Sequence, residues 1–177
     1  MNWNSLKTLP VIAISLLVPL NAHAIELKVG FCGFISTMVG ITHFRGKVGV
    51  EYLVCDGSTE LTSSLFSITD EDPIYFRDQY LNLLFSFSEH IRNGGYLGIG
   101  IIKSDGESEN ISNGETVKDS STGISVFLGY DFGWLSGRIG WISDGLLEFE
   151  KDTGGGTTEI ESHERNGLFQ LLLNIPL

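Results

Sequence analysis

The chain has 177 residues, with 11 Lys and Arg against 22 Asp and Glu, for a formal net charge of −11. An acidic balance of this size argues against nucleic acid as a partner, because the phosphate backbone recruits Lys and Arg. After the N-terminal segment described next, no stretch has the roughly 20 continuous apolar residues of a transmembrane helix.

The first 24 residues have the grammar of a secretory signal. Lys7 is the only charged residue before Glu26, residues 9–20 are apolar apart from Ser15 and two prolines, and Ala22-His23-Ala24 is a small-x-small cleavage pattern. Pro10 and Pro19 bracket an apolar core shorter than a membrane-spanning helix needs. The expectation is cleavage after Ala24, leaving residues 25–177 as one domain with 10 basic and 22 acidic residues. Cys32 lies well past the apolar run, and Val29, Gly30 and Phe31 ahead of it do not make a lipidation site.

From Ile25 onward the period is two, which sends successive side chains to opposite faces of a strand. Ile25, Leu27, Val29 and Phe31 oppose Glu26, Lys28, Gly30 and Cys32; Val48, Val50, Tyr52 and Val54 then oppose Lys47, Gly49, Glu51 and Cys55. A less regular strand is expected over 61–68. Leu81, Leu83, Phe85 and Phe87 share the next apolar face, followed by Leu97, Ile99 and Ile101, and then Ile124, Val126, Leu128, Tyr130 and Phe132. A further irregular strand is expected over 136–149, with Ile139 and Trp141 opposite Arg138 and Gly140. Residues 169–177 close the chain, with Phe169, Leu171, Leu173, Ile175 and Leu177 on one face.

The connectors sort by length. Residues 56–59, 90–95 and 133–135 read as short turns, while 35–45, 69–78, 104–121 and 151–166 read as longer polar loops. Together they imply eight strands, with both chain ends on the short-turn side. The third and fourth long loops are acidic.

The terminal strand resembles the one that barrel-assembly machinery reads, and the pattern over 25–177 resembles the small eight-stranded outer-membrane barrels typified by OmpX and the OmpA barrel domain. The resemblance implies an all-β, closed, antiparallel up-and-down transmembrane barrel of about eight strands. It also implies an outer-membrane location, with outer-membrane lipid and, during biogenesis, the barrel-assembly machinery as partners. Those families usually end in an aromatic residue; here Leu177 follows Pro176, which lacks a ladder donor. The competing reading is a soluble lipocalin-like barrel carrying a small apolar ligand, in which the apolar faces point inward.

In the membrane reading, Glu26, Lys28, Lys47, Glu51, Asp131 and Arg138 face the lumen, where charges must pair. Phe34, Phe44, Tyr75, Phe76, Tyr80, Trp134 and Phe149 fall near strand ends and are candidates for interfacial girdles. Export into an oxidising compartment permits a disulfide between Cys32 and Cys55, and folding a hairpin about His43 and Phe44 sets them opposite each other. The histidines left for catalysis are His43, His90 and His163, and no His-x-Ser arrangement like that of the lipid A deacylase PagL occurs. No cofactor, metal or catalytic residue is implied. The leading expectation is therefore a non-enzymatic barrel with acidic surface loops and a structural or surface-interaction role. The alternatives are a lipid-modifying envelope enzyme and the periplasmic carrier.

Overall fold

The structure is a computed structural model describing residues 25–32, 36–58, 74–88, 93–109, 116–143, 146–152, 158–164 and 166–177. The expected signal segment and its cleavage point, the expected strand over 61–68, Phe34 and His90 lie outside the described residues. In chain order the strands are β1 (Ile25–Cys32), β2 (Ser36–Arg45), β3 (Val48–Ser58), β4 (Ile74–Ser86), β5 (Gly94–Glu109), β6 (Thr116–Asp131), β7 (Leu135–Ile142), β8 (Leu146–Asp152), β9 (Thr158–Glu164) and β10 (Gly167–Pro176).

Eight of them close into a barrel in the order β1-β10-β7-β6-β5-β4-β3-β2, and β8 and β9 form a separate two-stranded sheet. Every neighbouring pair in the ring is antiparallel. The fold is an all-β, up-and-down barrel whose seam joins β1 to β10. At the seam Glu26 sits opposite Pro176, and Leu177 N–H donates to the Ile25 carbonyl at 3.0 Å. Asn174 N–H instead points to the β7 side, where it reaches the Trp134 carbonyl at 2.9 Å. Strand alternation aims the position of Pro176 the same way as Asn174, beyond the point where β7 pairs with β10. The missing donor therefore breaks no rung.

The two longest connectors, between β3 and β4 and between β7 and β10, lie at the end opposite the Gly46-Lys47 turn, but the turns and loops do not fall at every position expected. Of the expected loop at 35–45, residues 36–45 are strand: Ser36, Met38, Thr42 and Phe44 turn inward, and Val39 and Ile41 turn outward. The first tight turn is Gly46-Lys47, not residues 56–59, since β3 runs on to Ser58. Gly46 has φ 61°, as the first central position of a two-residue hairpin turn requires. Residues 104–121 are largely strand as well, since β5 and β6 stay paired from Gly94↔Asp131 up to Glu109↔Thr116. The expected loop at 69–78 overlaps β4, which begins at Ile74. The segment 136–149 breaks after Ile142 and resumes as β8, and β9 occupies part of the expected loop at 151–166. Strand lengths are consequently uneven: β5 and β6 have 16 residues each, β1 and β7 only 8. One side of the barrel stands taller than the other.

Side-chain polarity is inverted relative to a water-soluble protein. Leu81, Leu83, Phe85, Ile99, Leu128 and Ile139 are all exposed on the outer face, whereas Glu26, Lys28, Glu51, Asp78, Asn82 and Arg138 are buried. The carrier reading required the opposite polarity. Leu53, Leu84, Tyr96, Phe127 and Leu172 share the interior, each no more than 1% exposed. Large and small residues interlock there. A Cβ at Gly98 or Gly140 would collide with Phe127, and one at Gly129 would collide with the Tyr96 ring.

Gly98→Leu is expected to destabilise the barrel by about 3 kcal/mol and the outward Ile99→Leu by under about 1 kcal/mol. Urea midpoints of detergent-folded protein read the difference, and equal midpoints would contradict the inward packing at Gly98.

Candidate functional site in the barrel interior

Alternation along all eight barrel strands converges polar side chains on the interior at two levels. Near the short-turn end, Lys28 on β1 donates to Glu26 at 2.9 Å and to Asn174 Oδ1 on β10 at 2.6 Å, and lies 3.9 Å from Asp131. The amide of Asn174 donates to Asp131 at 2.9 Å, and Ser136 donates to Asn174 Oδ1 at 3.1 Å. Asp131 also accepts from the backbone N–H of Gly133 at 2.6 Å, which ties the β6–β7 turn to the cluster. The Lys28 ammonium stands 5.7 Å from the Phe44 ring centroid, within cation–π range.

At mid-height, Arg138 on β7 reaches across to Glu51 on β3. Its two terminal nitrogens donate to the two carboxylate oxygens at 2.6 and 2.5 Å, the bidentate fork that guanidinium and carboxylate geometry favours. Nε donates to the Tyr96 hydroxyl at 2.7 Å. Glu51 also accepts from Thr42 at 2.9 Å and from Asn82 at 3.0 Å, and Ser125 donates to Asn82 Oδ1 at 3.3 Å. The guanidinium carbon lies 5.1 Å from the Phe127 centroid and 5.5 Å from that of Tyr96. The Glu51 carboxylate thus accepts four hydrogen bonds, a saturated state that suits a clamp and not a base waiting for a substrate proton.

Of the sequence-proposed lumen charges, Glu26, Lys28, Glu51, Asp131 and Arg138 are buried inside. Lys47 is not. It lies in the exposed β2–β3 turn, because the hairpin reverses at Gly46 and the strand parity ends there. Sequence reasoning missed the uncharged partners Thr42, Asn82, Tyr96, Ser136 and Asn174. Their signal was present as polar residues on the inward parity of otherwise apolar strands, of which Asn82 in Leu81-Asn82-Leu83 is the clearest.

Cys32 and Cys55 form a disulfide with a Cα–Cα distance of 6.4 Å. Its topology differs from the expected hairpin geometry. Cys32 is on β1 and Cys55 on β3, so the bond passes over the end of β2, where Ser36 pairs with Cys32 and Met38 with Cys55.

The aromatic girdle is likewise revised. Phe44, Tyr80 and Phe149 are buried and Phe76 is half-buried, leaving Tyr75 and Trp134 exposed. At the short-turn end the outward aromatics are Phe87, Tyr130, Phe132 and Trp134, with the Tyr130 and Phe132 rings 4.6 Å apart. His43 is half-buried on the outward parity of β2, away from the interior clusters. Among the described residues, no group of three or more His, Cys, Asp or Glu is arranged to hold a metal ion.

Fold and interior together define a small closed barrel with an apolar outer wall and a hydrogen-bonded, charged core. No protein-family model matches the chain, and no curated protein matches its sequence. Among solved structures, it is similar to the crystal structure of the N-terminal β-barrel domain of Pseudomonas aeruginosa OprF. The identity is 9% and the TM-score 0.45, with 87% of this chain and 97% of that chain covered.

Glu51→Ala strands the Arg138 charge and is expected to destabilise by about 3–5 kcal/mol, whereas the Glu51→Leu/Arg138→Met double variant should lose less than about half of that. The same urea titration checks both, and additive losses in the double variant would contradict the pairing. Replacing both cysteines with serine should lower stability by about 3 kcal/mol under oxidising conditions and leave the reduced protein unchanged.

Proposed function

We propose that this chain is an outer-membrane barrel protein with a structural or surface-interaction role and no catalytic one. The observation that carries the reading is the continuous ring of exposed large apolar side chains, from Val29 and Phe31 on β1 around to Phe169, Leu171 and Leu173 on β10. In water such a surface is an aggregation liability; in hydrocarbon it is the solvated state. From Phe169 to Leu177 the outward face runs about 26 Å, or roughly 20 Å of height at a tilt of about 40°, close to the apolar band of a membrane barrel. Closure of the sheet supports the same reading, since lipid tolerates no open strand edge.

The side selection follows from the connectors. Short turns belong inside and long connectors outside, so the tall part of β4, β5 and β6 stands on the outer surface. Its outward face carries charge pairs instead of grease: Arg77 with Asp56 at 2.6 Å, Lys103 with Asp105 at 2.8 Å and Lys118 with Glu107 at 2.6 Å. These exposed pairs add little stability and mark where the wall leaves the bilayer for water and headgroups. The interior is filled by Leu53, Leu84, Phe127 and Leu172, which argues for a structural or contact role over solute passage.

The expressed protein is expected in the outer-membrane fraction, extracted only by detergent and migrating differently before and after boiling. Recovery in the soluble periplasm would overturn the reading. Mass spectra of lipid A from cells with and without the protein are expected to show the same acyl pattern, and a changed pattern would reinstate an enzymatic role.

A further inference from the structure

Between β7 and β10 the chain forms the β8–β9 sheet, which turns back over the outer mouth. Leu147 and Phe149 on β8 are fully buried, packed with Ile74, Phe76 and Val117. A Cβ at Gly106 would come within 2.7 Å of Leu147 and 2.8 Å of Phe149, so the absence of a side chain there makes the seat. Ile74, Phe76, Gly106 and Val117 all belong to the inward parity of β4, β5 and β6. The apolar face of β8 therefore sits within the mouth. Two residues beyond Gly106 on the same inner face, Ser108 is fully buried and its Oγ has no hydrogen-bond partner.

The register of the wall points to a second place for the same hairpin. β7 pairs with β6 from Asp131↔Ser136 up to Ser125↔Ile142. The ladder ends one step higher, where Ser143 N–H donates to the Ile124 carbonyl at 2.8 Å and Ile124 N–H donates to Ser143 Oγ at 3.0 Å. Above that rung β6 continues to Thr116, paired with β5. Among the described residues no strand is ladder-paired with its other side; β8 runs near it without a backbone ladder. Alternation aims the backbone N–H and C=O of Ser120 and Thr122 toward that side, as at Ile124. β8 starts three residues after Ser143, and carrying the β6–β7 register onward would set Glu148 opposite Asp119, Leu147 opposite Ser120 and Phe149 opposite Lys118. One contact already keeps this register: Glu148 N–H donates to the Asp119 carboxylate at 2.8 Å.

We propose that the β8–β9 hairpin is a two-position cap, seated in the mouth in this structure and able to zip onto the upper edge of β6 as an extension of the β7 ladder. The two positions differ by which face of β8 is covered. Seated, Leu147 and Phe149 are buried and a side-chain carboxylate stands in for a strand partner. Zipped, Ser120 and Thr122 gain backbone partners, Leu147 and Phe149 turn outward, and the Asp119 and Glu148 carboxylates come side by side. Burial of two large apolar side chains is therefore set against ladder hydrogen bonds and like-charge repulsion. The seated position wins as long as the seat at Gly106 stays empty of a side chain.

The test uses the full chain folded in detergent, with heat-modifiable mobility as the check of barrel folding. Gly106→Leu fills the seat, and Leu147→Ser/Phe149→Ser removes the grip without touching the barrel wall, so the second variant carries the test if the first fails to fold. In each background Ser108→Cys supplies the single free thiol, since both native cysteines are disulfide-bonded. Thiol labelling at position 108 should rise by about tenfold or more when the cap leaves its seat, and amide exchange at Ser120 and Thr122 should slow by about tenfold as they gain strand partners. Unchanged labelling in both variants would overturn the cap. Faster labelling without slower exchange would overturn the second position.

Discussion

The constraint on which everything else rests is closure of the sheet between β1 and β10. In the membrane setting proposed above, a strand edge has no water to satisfy its N–H and C=O groups, so the ring must be complete. Completing it with eight strands fixes a narrow interior, and the period of two then sends every second residue into that space. The residues sent inward mix small, polar and charged side chains with a few large ones, Leu53, Leu84, Tyr96, Phe127 and Leu172 among them. The interior charges must find each other, and they do so through the Arg138–Glu51 fork at mid-height and the Lys28 cluster near the turns.

Packing and electrostatics are solved together in that space. Phe127 fits because Gly98 and Gly140 have no side chains, and Tyr96 fits because Gly129 has none. The two rings so accommodated line the Arg138 guanidinium, which keeps water from the ion pair and raises the penalty for breaking it. The disulfide adds a third fastening at the opposite end, tying β1 to β3 across the end of β2. The barrel is thus held by its ladder all round and by side-chain contacts at three levels inside.

Much of this is legible in the sequence, and the exceptions have physical causes. Strands such as β4 and β10 are plain because an unbroken outward row, Leu81-Leu83-Phe85 or Phe169-Leu171-Leu173, alternates with a contrasting inward row. β2 is obscured because Met38 and Phe44 face inward beside Gly40 and Thr42, which erases the contrast that defines a strand. The upper halves of β5 and β6 are obscured for a different reason. Both of their faces are polar there, so hydrophobicity alone cannot mark them, and only the backbone pairing from Ser104↔Ser121 to Glu109↔Thr116 does. The interior charges could be assigned by parity, except Asp78, which falls in a segment read as loop, and Lys47, which the Gly46-Lys47 turn leaves exposed. Among their neutral partners, Asn82 and Asn174 share that parity signal, whereas Thr42 acquires meaning only once β2 is placed in the ring.

Turning the polarity inside out also relocates where mutation is tolerated. Positions such as Ile99, Leu128 and Leu171 need only remain greasy, with no particular shape to match, so drift among aliphatic residues there is nearly free. Glu51, Arg138 and Gly98 answer to shape, charge and reach simultaneously. In a water-soluble domain the oily heart holds lineages recognisable; here that duty falls on a handful of polar residues and glycines scattered far apart along the chain. Kinship between such barrels is accordingly better sought in the spacing of those few interior positions than in the abundant outward ones.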